Sequence, residues 1–570
     1  MGMSSAPPSP HRTPAPTPTG RSAPRLPLTG VLRLGRPSDI WFKPALSVVV
    51  SVAPPNLTLL ALGRLDLAMY TMAGSLCALY AHNRPYAARA RVLAWVVAGM
   101  LGGLGLSLVA ASLTTDAAVL VTVGALMAAA QKTLCDATRL GPPGNVVLTF
   151  ISSASLFVPQ TLGQVPGHLA LAAGAGIWAW LVGMAPGLLR PHGPERRATA
   201  QALNAAAAYA ATGGDGEGHA RTRAAAAAAV QAAWQTLLAC GARTETRRAL
   251  ERLVVRAEVA LAAPADTDPD RLRTWARLLC GRGPVPAVDE TAAATDELLG
   301  VAAESAAPHR PWWSRLGPLA PIALRTALGC ALAGYASLAL GIGRPYWALV
   351  TAAALYQANL ALTWNRSVQR VVGNLVGVLV FAVIAPLAHT SGVALVLCCL
   401  ALNFGAEALI GRNYWLGTLC VTPMALLITE FARQQATGEL IIERAVDTVV
   451  GALVGFAAAV AVTNRRAGDR IEDALTAVER ARERAARLLA EERPEPAALE
   501  TARRALAAAL VELRATADAA SGEWWQRALP QERVVLTEQA AHRTLAATIR
   551  RLGLHTPATS TDGTTEDPRP

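Results

Sequence analysis

Two arginines and two glycines in the second half of the chain lie at helical spacing. Arg366, Arg370, Gly373 and Gly377 are separated by steps of four, three and four residues, which places them on one face of an α-helix. A guanidinium group binds a carboxylate through two parallel hydrogen bonds, and the free amides of a helix N-terminus also favour an anion. The two arginines are therefore candidate substrate-binding residues, or else they anchor a membrane helix on its cytoplasmic side. The glycines would let another helix approach closely.

Two carboxylates within apolar runs are candidates for proton coupling. Asp447 follows Arg444 by three residues, and Glu407 precedes Arg412 by five. A carboxylate is expensive in hydrocarbon, so each should face the interior of a helix bundle and find a cation. Asp447 either pairs with Arg444 or responds to protons. For Glu407 the same choice holds, with Arg412 as the partner in an interfacial ion pair.

Five further residues are candidate positions in a substrate pathway, and each also has a structural interpretation. Arg325 either lines the pathway or extends to the inner membrane surface. Tyr346 and Trp347 either stack on an aromatic substrate or anchor a helix at the membrane boundary. Thr351 and Asn359 are candidate polar wall positions, although hydrogen bonding between helices is the more common role of such residues in membranes.

These residues lie in a chain that is too apolar for an ordinary soluble protein. Of 570 residues, 52% are hydrophobic and only 16% are charged, which predicts an all-α polytopic membrane protein. The net charge of +12 arises from cations beside apolar runs, so we expect no nucleic-acid binding. The eight cysteines show neither metal-type spacing nor a disulfide framework. Nucleotide-binding, metalloprotease and nucleophile-elbow motifs are absent, so we expect neither an enzyme nor a cofactor, and a gradient must drive any uphill transport.

Apolar runs predict two bundles of six membrane helices, each followed by a helical cytoplasmic domain. The predicted helices are 42–63, 66–81, 92–113, 117–134, 144–162 and 168–189, then 318–341, 346–362, 369–388, 391–410, 413–431 and 440–463. The predicted domains are a disordered tail (1–38), a first membrane bundle (39–190), a cytoplasmic helical domain (191–316), a second membrane bundle (317–464), a C-terminal cytoplasmic helical domain (465–555) and a disordered tail (556–570).

The distribution of cations predicts the orientation. Lys and Arg cluster in the connections that share a side with the N-terminus, so both termini and both soluble domains are predicted to be cytoplasmic. An even number of helices in each half makes the two units parallel repeats. We expect a multi-pass protein of a bacterial cell membrane whose partners are the lipid bilayer and a small organic anion. A homo-oligomer or a cytoplasmic partner is left open.

The same residues resemble the signature of a known membrane family. Residues 320–465 are similar to the fusaric acid resistance family, which includes the aromatic acid exporters. The resemblance is carried by Tyr346-Trp347, Thr351, Arg366, Arg370, Gly373, Gly377 and the segment Glu443-Arg444-Ala445-Val446-Asp447-Thr448-Val449-Val450-Gly451. It implies an inner-membrane efflux protein for small, aromatic carboxylates.

Three functions compete at this point. The leading hypothesis is a proton-coupled secondary exporter of small organic carboxylates. The second is a passive organic-anion channel or uniporter, because six helices followed by a cytoplasmic helical domain also resemble the aluminium-activated malate transporter superfamily. The third is a membrane scaffold whose helical domains bind a cytoplasmic partner, which predicts a closed apolar bundle with paired charges.

Overall fold

The computed structural model describes the two halves of the chain with some gaps. The described residues are 28–35, 41–212, 217–239, 244–262, 264–281, 283–288, 312–357, 359–431, 436–462, 467–521 and 531–551. The predicted C-terminal tail, 556–570, and most of the predicted N-terminal tail lie outside them. Every regular element in the described part is a helix, which confirms the predicted all-α class.

The first membrane bundle contains six apolar elements in chain order. They are α1 (Phe42–Ala61), α2 (Ala68–Ser75, extended by 3-10 turns over Leu65–Leu67 and Leu76–Leu79), α3 (Tyr86–Leu113), α4 (Ala117–Ala137), α5 (Val146–Ser155) and α6 (Val165–Met184). The short α7 (Pro186–Leu189) follows α6. Local chemistry sets some ends; Asp116, for example, caps α4 by accepting from the amides of Ala118 and Val119.

The second membrane bundle repeats this series of elements. It contains α12 (Leu316–Ala339), α13 (Tyr346–Leu355), α14 (Leu360–Ala388), α15 (Gly392–Ile410), α16 (Tyr414–Thr429) and α17 (Thr437–Ala461). Asn359, Ser391 and Asn413 cap α14, α15 and α16 through side-chain oxygens that accept backbone amides.

Eight of the twelve apolar elements are long and apolar enough to cross a membrane, and four are shorter. The shorter ones are 65–79, 146–155, 346–355 and 414–429. At 1.5 Å per residue, a ten-residue helix covers about half of a hydrocarbon core roughly 30 Å thick. The predicted full-length spans at 144–162 and 346–362 are therefore wrong in length, because both helices end early. The short helices are the second and the fifth of each bundle.

The two bundles use the same pairs of neighbouring helices. In the first, α6 packs against α2 and α3, and α3 packs against α5; in the second, α17 packs against α13 and α14, and α14 packs against α16. Between the bundles, α12 packs on α4 and α1 packs on α15, which are again corresponding helices. A duplicated unit would produce this pattern, and duplication itself stays a prediction.

Seven amphipathic helices form the polar-faced remainder of the described chain. They are α8 (Gly193–Ala210), α9 (Glu217–Leu238), α10 (Glu245–Ala262) and α11 (Pro269–Cys280), then α18 (Ala467–Ala490), α19 (Pro496–Ser521) and α20 (Gln531–Arg551). Buried Leu, Val and Ala residues form one core in each group, and Ile549 of α20 lies within the core of the first group. The two groups therefore pack together. Their cytoplasmic location stays a prediction.

Candidate functional site: a cationic cavity between the bundles

A cavity of about 970 Å³ lies between the two membrane bundles. The first bundle contributes the connections 81–84 and 141–145, and the second contributes residues of α13, α14, α15 and α16. Along α16 the wall runs from Asn413 to Ala425, about 18 Å at 1.5 Å per residue. Each of the four short helices, or a connection next to it, lines the cavity. Interrupted membrane helices are tolerated where their free backbone ends face such a space.

The charges on the cavity wall are predominantly positive. The wall carries six cationic side chains and two carboxylates, namely Arg84, Lys132, Arg139, Arg366, Arg370 and Arg444 against Asp136 and Glu407. The Nζ of Lys132 lies 2.8 Å from a carboxylate oxygen of Asp136, so this pair neutralises itself. The remaining wall attracts anions.

Arg366 and Arg370 meet on one aromatic ring at the start of α16. The guanidinium carbon of Arg366 lies 3.3 Å from the ring centre of Tyr414, and Nη1 of Arg370 donates to the Tyr414 hydroxyl at 2.7 Å. The Nε of each arginine is buried without a hydrogen-bond partner, and neither arginine contacts a carboxylate within the described residues. Tyr414 thus positions two guanidinium groups that keep donor capacity for a ligand.

Arg444 of α17 is a third buried arginine on the same wall. Its guanidinium carbon lies 4.1 Å from the ring centre of Trp347, which is stacked on Phe150 at 5.6 Å. Its hydrogen bond is long, 3.5 Å from Nη2 to Oδ1 of Asn374. The same Asn374 oxygen accepts from Thr422 at 2.6 Å.

Glu407 faces the cavity instead of pairing with Arg412. The predicted ion pair between them is not formed in the described structure. Asn403, one turn earlier on α15, also lines the cavity and donates to the Cys399 carbonyl at 3.0 Å. Glu407 is therefore the carboxylate that lines the same cavity as the arginines without forming an ion pair in the described structure.

Asp447 lies elsewhere and has a different partner from the one expected. It is fully buried behind the cavity wall, where its Oδ1 accepts from the Ser337 hydroxyl at 2.6 Å. The predicted ion pair with Arg444 is absent from the described contacts, because Arg444 points to Trp347 and Asn374. The second oxygen of Asp447 has no partner.

Four other predicted substrate-binding residues are not on the cavity wall. Arg325 donates twice to the Val462 carbonyl at the end of α17, at 2.8 and 3.1 Å. Asn359 caps α14, and Thr351 is buried where α13 approaches α17. Tyr346 is buried against Phe157 and Trp347, so both rings of this aromatic pair pack inside the protein.

Sequence reasoning missed the roles of several wall residues. Arg444 belongs to the segment that carries the family resemblance and Tyr414 follows the polar residues Arg412 and Asn413, but no sequence pattern indicates that both face the same space as Arg366. His82 of the first bundle also lines the cavity and accepts a hydrogen bond from Nη2 of Arg89 at 3.1 Å. Burial, and next the charge of Arg89, lower the pKa of His82 to about 3, so this wall residue is neutral at physiological pH.

The glycines of the candidate face allow the close packing that their spacing predicts. A Cβ at Gly373 would lie 2.6 Å from the Trp415 carbonyl oxygen, and one at Gly377 would lie 2.8 Å from Cβ of Thr422. The prediction that they bring a second helix close to α14 is confirmed, and that helix is α16. This contact fixes Tyr414 beside Arg366 and Arg370.

Fold and site together define a polytopic helical membrane protein with an anion-attracting cavity. Residues 331–458 match the family model described as fusaric acid resistance protein-like. The chain is 35% identical over 122 residues to the uncharacterized membrane protein YvaC of Bacillus subtilis, which covers 21% of this chain and 19% of that protein. It is 26% identical over 153 residues to the uncharacterized protein slr1298 of Synechocystis sp., which covers 26% and 20% respectively. No solved structure matches the chain.

These matches confirm the family resemblance found in the sequence. The second membrane bundle carries a fusaric-acid-resistance-like segment that includes Arg366, Arg370, Tyr414 and Arg444. Each match spans about a fifth of the curated relative concerned.

Proposed function

We propose that this chain is a secondary transporter that moves small organic carboxylates across a bacterial cell membrane. The observation that carries the proposal is the cavity between the bundles, whose wall holds six cations against two carboxylates. Arg366 and Arg370 are the proposed ligands of the carboxylate, because each retains a buried, unpartnered Nε beside the cavity. A scaffold protein would need no such space.

The apolar part of the wall supports a substrate with an apolar or aromatic body. Phe150, Trp347, Val421 and Met424 line the cavity together with the arginines. Pockets that bind small molecules combine an apolar lining with a few polar groups that fix orientation. An aromatic acid fits this combination, since its ring can pack against Val421 and Met424 while its carboxylate meets a guanidinium group.

Glu407 is the proposed proton-coupling group. A carboxylate on the same wall as the substrate's guanidinium ligands competes with the substrate when it is ionised and not when it is protonated. Asp447, the other predicted coupling residue, is buried off the wall and is bonded to Ser337. Because proton binding at Glu407 then favours substrate binding, this arrangement supports carboxylate flux that is coupled to movement of protons in the same direction.

Transport by the purified protein in lipid vesicles tests the proposal. Benzoate flux should be saturable and should accelerate when a proton gradient is directed the same way as the benzoate flux. Arg370→Gln should raise the KM for benzoate about ten-fold, because a charge-assisted hydrogen bond to the anion is lost. Glu407→Gln should abolish the acceleration by the gradient, whereas the matched carboxylate change Asp447→Asn should leave it intact.

Each alternative gives a different result in the same vesicles. A voltage-driven benzoate current that ignores the proton gradient would favour the channel. Loss of coupling in Asp447→Asn but not in Glu407→Gln would assign the proton-coupling role to Asp447, behind the cavity wall, instead of Glu407. Absence of any flux in the wild type would contradict a transport function for carboxylates.

A further inference from the structure

Arg444 is a buried charge of the described membrane region that is only partly hydrogen-bonded. Its side chain is 2% exposed, it lines the cavity, and both Nε and Nη1 lack a hydrogen-bond partner. The contacts it does make are the face of Trp347 and a long hydrogen bond to Asn374. No carboxylate of the described chain forms an ion pair with it: Asp447 is hydrogen-bonded to Ser337 and attracts Arg444 only through space.

A buried guanidinium group without a counter-ion is strongly unfavourable. Removing a charge from water costs several kcal/mol unless an opposite charge and hydrogen bonds compensate for it. Ring contact with Trp347 supplies part of this compensation, and the Asn374 oxygen, already accepting from Thr422, supplies little. The missing component is an anion that can accept from Nε and Nη1 together, as a carboxylate does.

Arg444 lies further along the wall than the pair of arginines at Tyr414, although its charge is near enough to that of Arg370 for the two to repel. Its partner Asn374 is bonded to Thr422, which lies eight residues beyond Tyr414 on α16, or about 12 Å along the helix axis. Asn374 itself lies one turn beyond Arg370 on α14. The cavity wall extends over this whole distance, because Thr418 and Val421 between the two levels also line it.

We infer that Arg444, with Trp347 and Asn374, forms a second carboxylate-binding position one to two helical turns beyond Arg366 and Arg370. This inference rests on the proposed function, because it assigns a second step to the same substrate. The acid enters at the Tyr414 level, where two guanidinium groups receive it, and then passes to Arg444, where its apolar body packs against Val421 and Met424. Arg366 and Arg370 then determine the affinity of the first binding step, and Arg444 determines the rate at which the bound acid is transported.

The stability of the empty protein separates a ligand-binding arginine from a structural one. Arg444→Met removes a buried charge that has no ion pair within the described chain, so the melting temperature of the ligand-free protein in lipid nanodiscs should stay unchanged or rise. Arg325→Met is the matched control, because Arg325 is equally buried but donates two hydrogen bonds to Val462. That change should lower the melting temperature.

Benzoate supplies the second measurement on the same samples. It should raise the melting temperature of the wild type and of Arg325→Met, and this rise should be lost in Arg444→Met and reduced in Arg444→Lys. In vesicles, Arg444→Met should lower the maximal benzoate flux about ten-fold with a smaller change in KM, whereas Arg370→Gln should mainly raise KM.

The outcomes distinguish failure of this inference from failure of the transport function. If the wild type binds and transports benzoate but Arg444→Met does so equally, or if Arg444→Met destabilises the empty protein as Arg325→Met does, Arg444 is structural and the second position does not exist. If benzoate neither raises the melting temperature of the wild type nor is transported by it, the proposed carboxylate transport itself is wrong.

Discussion

At the scale of single residues, the cavity differs from the rest of the protein in how its arginines are partnered. Arg247 of α10 pairs with Glu251 at 2.9 Å, and Arg344 lies 3.6 Å from Glu443. Arg366 and Arg370, in contrast, share the ring and hydroxyl of Tyr414. A tyrosine positions guanidinium groups without neutralising them, and so it preserves their attraction for an anion.

Tyr414→Phe tests this positioning role. The ring stays beneath Arg366, while Arg370 loses its 2.7 Å hydrogen bond and gains freedom to turn away. We expect the KM for benzoate to rise about ten-fold or more, since hydrogen bonds to charged groups contribute roughly 1.5–3 kcal/mol and about 1.4 kcal/mol is a factor of ten. Vesicle flux measures the effect. Tyr346→Phe is the control, because that tyrosine is buried away from the wall; equal effects of both changes would contradict the assignment.

At the scale of helices, apolar runs determine where elements occur but not how long they are. All twelve predicted membrane elements correspond to helices, yet α5 and α13 are about half as long as expected. Their apolar composition continues past the helix end, so composition alone cannot mark the boundary. A tertiary contact ends α13: the backbone of Tyr356 is extended, and its hydroxyl donates a hydrogen bond to the Gly455 carbonyl on α17. The same limit applies to Ser337, whose bond to Asp447 joins residues 110 positions apart.

The contact of α14 with α16 gives a test at this scale. A methyl group at Gly373 would lie 2.6 Å from a backbone oxygen of α16, so Gly373→Ala must separate the two helices. We expect a loss of about 1–3 kcal/mol in unfolding free energy, the usual cost of overpacking. Thermal unfolding in detergent measures it. Gly99→Ala on α3 meets nothing within 4 Å and should be neutral or slightly stabilising; a similar loss there would refute the packing argument.

At the scale of the whole molecule, a buried ionic network joins the two groups of amphipathic helices. Arg503 of α19 contacts Glu500 on its own helix and Glu258 of α10, each at 2.5 Å. Arg504 lies 2.7 Å from Glu500 and 3.5 Å from the ring centre of Trp234, whose indole donates to Glu258 at 2.9 Å. Sequence predicted the two helical groups separately. This junction depends on contacts 245 residues apart, which no local pattern encodes.

The network predicts how the stability of the amphipathic helical groups depends on pH. Burial alone would raise the pKa of Glu500, but the charges and hydrogen bonds of Arg503 and Arg504 outweigh it and hold this pKa below its ordinary value of 4.5. The stabilisation is therefore complete above about pH 4.5 and is lost as the pH falls through the lowered folded pKa. Urea unfolding followed by tryptophan fluorescence should show this loss below pH 4.5. Glu500→Gln should flatten the dependence and lower stability at pH 7 by roughly 3–5 kcal/mol, because Arg503 and Arg504 each lose a buried carboxylate contact, although Arg503 keeps Glu258. An unchanged acid transition in Glu500→Gln would show that other groups control it.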